Sequence, residues 1–175
     1  PDAKVRVIWL QNWFDPARER EAAMTLMNQG ADVLAFHTGS SAVMMAAQER
    51  GKMAIGYHSD MRHMAPEAQL LSVTHHWGDY YTRRVRAVLD GSWKSTDTWG
   101  GIKEGMVTIE GFGPRLDNGA KNEVLKRYRE LSNGQFKVFK GPLFDASGRM
   151  IVPPGHDMTD AEILGMNFLV QGVRQ

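Results

Sequence analysis

Apolar and polar positions along the first sixty residues alternate between two kinds of stretch. "VRVIWL", residues 5 to 10, is a short apolar run of the kind a buried strand shows. "QNWFDPARER" follows, in which Asp15 is a good N-cap and Pro16 takes the first helical position, where its missing N–H costs nothing. Ala22, Ala23, Leu26 and Met27 mark one face of that helix, and Gly30 is a natural stop. "DVLAFHT" reads as a second strand. "GSSAVMMAAQERG" reads as a second helix capped by Ser40 or Ser41 and ended by Gly51, and "KMAIGYH" as a third strand. Strand–helix–strand–helix–strand with short joints predicts an α/β fold, a parallel sheet flanked by helices.

Such a sheet dictates where ligands go: beyond the carboxyl ends of the strands, where the connections leave. Three segments occupy those ends, "NWFD", "HTGSS" and "HSD". A tryptophan, a Gly/Ser-rich helix entry and an aspartate are therefore expected to converge on one edge. Trp9, inside the first apolar run, is expected in the core. Further on, Trp77, Tyr80, Tyr81, Val85 and Leu89 fall mostly on one face of a helix, the pattern of a core-facing stripe, with Arg83, Arg84 and Arg86 opposite, on a face expected to be solvated or to meet an acidic neighbour. "DASGR", with Asp145 and Gly148, predicts a turn between two extended segments.

Composition narrows the function classes. At 175 residues the chain makes one domain or two small lobes. A net charge of +1 gives no footprint for a nucleic acid, so none is expected as a partner. There is no run of about 18 apolar residues of the kind a membrane span needs. The absence of cysteine excludes disulfides and thiolate-based metal sites. The opening "PDAKVRV" runs straight into a strand with no signal-like segment, which suggests a piece of something longer.

The histidines raise the question of chemistry. "GYHSDMRH" holds His58, Asp60 and His63, and "VTHHW" adds His75 and His76. H-x-D-x-x-H at the end of a strand matches no established zinc spacing, so no metal ligand and no cofactor is assigned. The plainer reading makes His63 a solvated loop residue and His37 and His58 partly buried polar groups at strand ends. No nucleophile stands with a base, and "TGSSA" lacks the Gly-x-Ser-x-Gly elbow of acyl-transfer hydrolases. The enzyme alternative is a metal-dependent hydrolase built on His58, Asp60 and His75 or His76; the leading expectation is a binding protein with no catalytic residue.

"VIWLQNWFDPARE", "GADVLAFHTGSSAVMMAAQERG", "AIGYHSDMRHMAPEAQLLSV", "HWGDYYTRRVRAVLDGSW" and "FKVFKGPLFDASGRMIVPPG" together resemble, in order and spacing, the BMP (basic membrane protein) family of purine-type substrate-binding proteins of ABC importers. The resemblance covers essentially the whole chain and implies its carboxy-terminal half. It implies a periplasmic-binding-protein-like (type I) lobe: residues 1–74 as the second-lobe core, 75–112 as a hinge crossing that gives a helix and a strand to the first lobe, and 113–175 as carboxy-terminal helices and closing segment, with the amino-terminal half of the family absent. It also implies residue roles. Trp13 matches the aromatic that stacks on the purine ring, and Asp60 the aspartate that bonds the ligand's polar edge or sugar. Gly39, flanked by Thr38 and Ser40, matches a glycine that admits the ligand to the backbone. His75 stands where relatives place a ribose-reaching lysine or a tryptophan, and His58 where nucleoside binders often carry aspartate; both departures favour a nucleobase such as adenine over a nucleoside. The implied partners are a small purine and an ABC permease, and the implied location is the periplasm, or the outer face of a membrane through a lipid anchor. A ligand-sensing module of the same fold is the remaining alternative.

Overall fold

The computed structural model of the chain describes residues 3–175. In chain order its elements are β1 (Val5–Arg6), α1 (Pro16–Asn28), β2 (Val33–Ala35), α2 (Ala42–Glu49), β3 (Met53–His58), β4 (Gln69–His75), α3 (Trp77–Leu89), β5 (Val107–Glu110), α4 (Asn118–Ser132), β6 (Leu143–Phe144), β7 (Met150–Val152), α5 (Asp160–Leu164) and β8 (Val173–Arg174). They form two compact units, one of Leu10–Gly134 and the other of the segment ending at Trp9 with Gln135–Gln175.

The larger unit is the predicted α/β layer. Its sheet runs β2-β3-β4-β5; β2, β3 and β4 are parallel, and β5 lies antiparallel on β4. Local chemistry sets the helices as the sequence predicts. Asp15 caps α1 through its side chain, accepting from the Arg18 N–H at 3.1 Å, with Pro16 in the first turn. Of the two candidate caps for α2, Ser40 does the bonding: its Oγ accepts the Ala42 N–H at 3.1 Å, while Ser41 makes no capping bond. Gly30 and Gly51 follow the helix ends with φ of +96° and +63°, the left-handed conformation that glycine adopts without steric cost.

The core of this unit is built from small and flexible side chains. Ala23 and Met27 of α1 meet Val43, Met44, Ala46 and Ala47 of α2, with Leu34, Ala54, Met61, Ala65 and Ala68 completing the cluster. Alanine on the facing surfaces lets α1 pack on α2 and α2 on β3 at short range. Methionine fills the irregular gaps between them.

In the smaller unit β1 pairs parallel with β8, and β6 with β7 antiparallel around the turn predicted at Asp145–Gly148. The Asp145 carboxylate closes that turn, accepting from the Ser147 and Arg149 N–H groups.

Three expectations need correction. The apolar run at 5–10 becomes a strand only at Val5–Arg6, and it joins β8 rather than the β2–β5 sheet. Its partners, the carbonyls of Gly172 and Arg174, lie at the far end of the chain, where no local pattern reveals them. Trp9 is accordingly 60% exposed and is no core residue. The strand at 107–110, expected in another lobe's sheet, is hydrogen-bonded to β4, so the chain that leaves at His75 returns to the same sheet. Finally, α3 buries none of its residues, and Trp77, Tyr81, Val85 and Leu89 stand exposed along it rather than forming a core stripe. The opposite face is not simply solvated either: the Arg84 guanidinium lies over the rings of Tyr80 and Trp93 and donates to the Lys94 carbonyl at 3.0 Å.

Candidate functional site

Parallel strands β2, β3 and β4 bring His37, His58 and His75 to their carboxyl ends, and a continuous series of ring contacts runs across that edge. Trp13 meets His37 edge-on with centroids 5.9 Å apart; His37 meets Tyr57 at 4.1 Å. Tyr57 then touches both His58 and His75, at 3.8 and 5.4 Å, and His75 meets Trp77 at 5.6 Å. His58 and His75 are themselves 5.1 Å apart. His37 Nε2 and the Tyr57 hydroxyl form a short hydrogen bond.

Trp13 is held by its backbone and not by its ring. Its carbonyl accepts the Gly39 N–H at 2.8 Å, and a Cβ at position 39 would stand 3.2 Å from that oxygen. Glycine at 39 thus serves the close approach of the "HTGSS" loop to the Trp13 backbone. Buried Glu19 reinforces the junction, accepting from Ser40 Oγ at 2.5 Å and from the Asp15 N–H at 3.1 Å. The indole itself is 75% exposed, an aromatic face offered to solvent at the strand edge. Thr38 Oγ1 is shielded from solvent and finds no hydrogen-bond partner among the described residues.

Asp60 lies just past β3. Its Oδ2 accepts from Arg62 Nε and Nη2 at 2.9 and 2.6 Å, and its Oδ1 from the Arg62 N–H and Nε and from Gln69 Nε2 at 2.8 Å. Hydrogen bonding from the Arg62 guanidinium, chiefly, holds the carboxyl well below the usual carboxylate range, so Asp60 is an anion throughout the neutral and mildly acid range. An ionised carboxylate accepts and does not donate, so it selects ligand edges that carry N–H or O–H.

His58 is the backbone irregularity of the edge. Its φ of +71° is left-handed, a conformation of roughly 1–3 kcal/mol cost for a side chain of this kind. Partial desolvation, and then the neighbouring His75 and His37, push its imidazole below the ordinary histidine range. A neutral imidazole offers one donor and one acceptor. His63 is exposed, as expected.

The structure therefore gathers Trp13, Thr38, Gly39, His58 and His75 around one strand edge, with Asp60 at the exit of β3. His37, read as a polar group at a strand end, carries the middle of the ring series with Tyr57, and Arg62, the partner that a plain structural reading of Asp60 supplies, occupies the carboxylate; Tyr57 and Gln69 are the members that the sequence reading passed over. Tyr57 precedes His58 on a strand and reads as an ordinary sheet aromatic; Gln69 opens an apolar run, "QLLSV", and a lone amide there was the available signal. Among the described residues no group of three or more His, Asp or Glu side chains is arranged to hold a metal ion. The His58/Asp60/His75 set of the hydrolase alternative is divided, because the Asp60 oxygens face Arg62 and Gln69. A separate open concavity of about 480 Å³ in the smaller unit, lined by Ile151, Met158, Met166 and Phe168 with the His156–Glu162 pair, includes none of these residues.

The chain is similar to known proteins in fold and in sequence. Its fold matches an ABC-transporter solute-binding protein of Aeropyrum pernix K1 (TM-score 0.57, 16% identity, 87% of this chain and 49% of that one) and one of Conexibacter woesei (TM-score 0.54, 13% identity, 75% and 45%). It also matches a transcriptional activator of the comK gene from Bacillus halodurans (TM-score 0.64, 18% identity, 73% and 46%). These likenesses define the class by fold alone, the α/β architecture of solute-binding proteins. The family follows from sequence. The family model described as Bmp, ABC transporter substrate-binding protein PnrA-like, matches residues 1–138, and the chain belongs to that family. A purine-binding protein of Brucella abortus (strain 2308) is 40% identical over 173 residues, 99% of this chain and 49% of that protein. A protein of Haloferax volcanii named for ABC-transporter glucose binding is 31% identical over 145 residues, 83% of this chain and 37% of that protein. The chain spans about half the length, or less, of these curated relatives. Substrate-binding proteins of ABC transporters are extracytoplasmic and work with a membrane permease. Among the described residues, no helix is long and apolar enough to cross a membrane.

Proposed function

We propose that this chain forms part of the substrate-binding component of an ABC importer and captures a purine, with the free nucleobase preferred over the nucleoside. The observation that carries the reading is the presence, on one sheet edge, of an indole 75% exposed and anchored by its backbone and of an aspartate that Arg62 holds ionised through the neutral range. A flat indole gives a base about 1–3 kcal/mol without discriminating among bases. A carboxylate accepting from a ring N–H or exocyclic amine adds a charge-assisted bond of about 1.5–3 kcal/mol. Adenine presents such donors; a keto edge facing Asp60 would be repelled. Neither His58 nor His75 extends a flexible cation toward a sugar, which supports base over ribose. The relative named for purine binding, 40% identical over nearly the whole chain, supports the same class.

No step of bond breaking is assigned: the protein's role is capture and delivery to a permease on the extracytoplasmic side, in the periplasm or held to a membrane by a lipid anchor. The test is a tryptophan-fluorescence titration of the intact, chelator-treated protein against adenine, hypoxanthine, guanine, adenosine and guanosine, with glucose as the control prompted by the haloarchaeal relative. Saturable quenching by micromolar adenine, stronger than by adenosine, is expected. Response to glucose alone, or a response that returns only with added divalent metal, would overturn it.

A further inference from the structure

We infer that Gln69 is the positioning residue of the binding carboxylate: its amide commits Asp60 Oδ1 to the protein and leaves Oδ2, held only by the Arg62 side chain, as the oxygen that a ligand takes over. The inference rests on the ligand role proposed for Asp60.

Gln69 opens β4 and is completely buried, with relative exposure of 0%. A buried amide must have its donors and acceptor satisfied, and here all are. Oε1 accepts the Met61 N–H at 2.9 Å. Nε2 donates to the Gly111 carbonyl at 2.6 Å and to Asp60 Oδ1 at 2.8 Å. One donor and one carbonyl among those partners determine which way the amide faces: a flipped amide would set Nε2 against the Met61 N–H and Oε1 against two acceptors. The Asp60 contact therefore follows from the backbone around it.

Those two backbone partners come from separate places, the turn after β3 at Met61 and the exit of β5 at Gly111, and Gln69 reaches both from the start of β4. The pairing of β3 with β4 shifts register between Ala54 and Ile55, opposite Gln69 and Leu71, so Gln69 stands at an irregular point of the ladder. Glycine is required around it. Gly111 has a φ of +63°, and a Cβ there would come within 2.6 Å of Gln69 Nε2 and 2.8 Å of the Asp60 carboxyl carbon. A Cβ at Gly113 would strike the Gln69 carbonyl. Two glycines thus clear the space in which one amide reaches one carboxylate.

The division of the two oxygens follows. Oδ1 takes Gln69 Nε2, the Arg62 backbone N–H and a longer contact from Arg62 Nε. Oδ2 takes only the Arg62 guanidinium, whose side chain is about half exposed at 51%. A ligand N–H that reaches Oδ2 exchanges with a half-exposed surface group, while Oδ1 stays seated. Asp60 is thus presented in one orientation before the ligand arrives, so the ligand does not bear the entropy of fixing it.

The experiment is a double-mutant cycle in the intact protein, Gln69→Leu and Asp60→Ala, read by adenine affinity and, independently of any ligand, by ¹³C NMR titration of the Asp60 carboxyl. With Asp60 present, Gln69→Leu is expected to weaken adenine binding about tenfold; in the Asp60→Ala background the loss falls below about twofold. The Asp60 carboxyl titrates at higher pH in Gln69→Leu than in the parent. Equal losses in both backgrounds, or an unmoved carboxyl titration, would overturn the inference and leave Gln69 a packing residue. Where Gln69→Leu fails to fold, Gln69→Glu keeps the shape and the bond from Met61 while removing the amide donors, and the same two readouts apply. If the parent protein binds no purine, the functional proposal falls, and the carboxyl titration still decides whether Gln69 sets the state of Asp60.

Discussion

Replacing Trp13 by alanine separates binding from folding more cleanly than any other single change at this edge. The indole is 75% exposed and touches the cluster through one edge-on contact with His37, centroids 5.9 Å apart. Such an aromatic pair is worth about 0.5–1.5 kcal/mol at most, and exposed substitutions usually stay within about 0.5 kcal/mol. The bond that ties the loop together, Gly39 N–H to the Trp13 carbonyl, belongs to the backbone and survives the substitution. The stability cost is therefore expected below about 1 kcal/mol, a few degrees in Tm. Loss of base stacking removes about 1–3 kcal/mol of binding, a 5- to 150-fold rise in Kd for adenine. Isothermal titration calorimetry gives the affinity without relying on the fluorophore being removed, and a thermal melt gives the stability. Trp9→Ala, also exposed but outside the larger unit, is the control and leaves Kd unchanged. An unchanged adenine Kd for Trp13→Ala refutes the stacking role. A Tm drop of ten degrees or more would show that the indole is structural.

Other outcomes follow from the same geometry. Asp60→Ala weakens adenine binding about tenfold or more, the loss of a charge-assisted bond, while circular dichroism shows the fold retained; unchanged affinity would remove Asp60 from the site. Glu19→Ala, at a buried carboxylate that accepts from Ser40 and Asp15, lowers unfolding free energy by about 2–4 kcal/mol in urea titrations, because two donors are left without an acceptor. Met44→Ala, at a fully buried site between the helices, costs about 2–5 kcal/mol by the same assay. The His58 imidazole sits below its unfolded value, so the unfolded chain binds more protons as pH falls; its contribution is complete above about pH 6.5 and declines as pH drops from there toward the lower folded value. Thermal melts between pH 7.5 and 5 are expected to show that decline, and His58→Asn to flatten it; an unchanged slope in the variant would remove His58 as its source.

What the sequence made legible was local. Asp15 and Pro16 mark the start of α1 because capping needs only neighbours, and Ser40 marks α2 for the same reason. The alternation of strands and helices announced the parallel pairing of β2 with β3 and the meeting of "NWFD" with "HTGSS", but not β4, whose segment reads as a crossing. What failed to show was pairing at a distance. β1 finds β8 across almost the whole chain, and β5 turns back onto β4 after thirty-one residues that carry no strand. The stripe on α3 has the periodicity of a buried face, but periodicity states which residues share a side and not whether anything covers them. At the candidate site, the pairing of Asp60 with Arg62 two residues on is within reach of a sequence reading, whereas the contact of Gln69 with Asp60 is one that only the folded chain creates.

The junction of Glu19, Ser40, Gly39 and the Trp13 backbone has a consequence for how such a protein diverges. The two loops it joins are mechanically one unit: lengthening one without the other pulls the carbonyl off the amide and strands a buried carboxylate. Variation at this wall is thereby channelled into side chains that leave the junction alone, above all the ring at position 13. On the ligand role proposed for Trp13, exchange of that single residue would alter ligand preference on an unchanged frame, without remodelling of the loops.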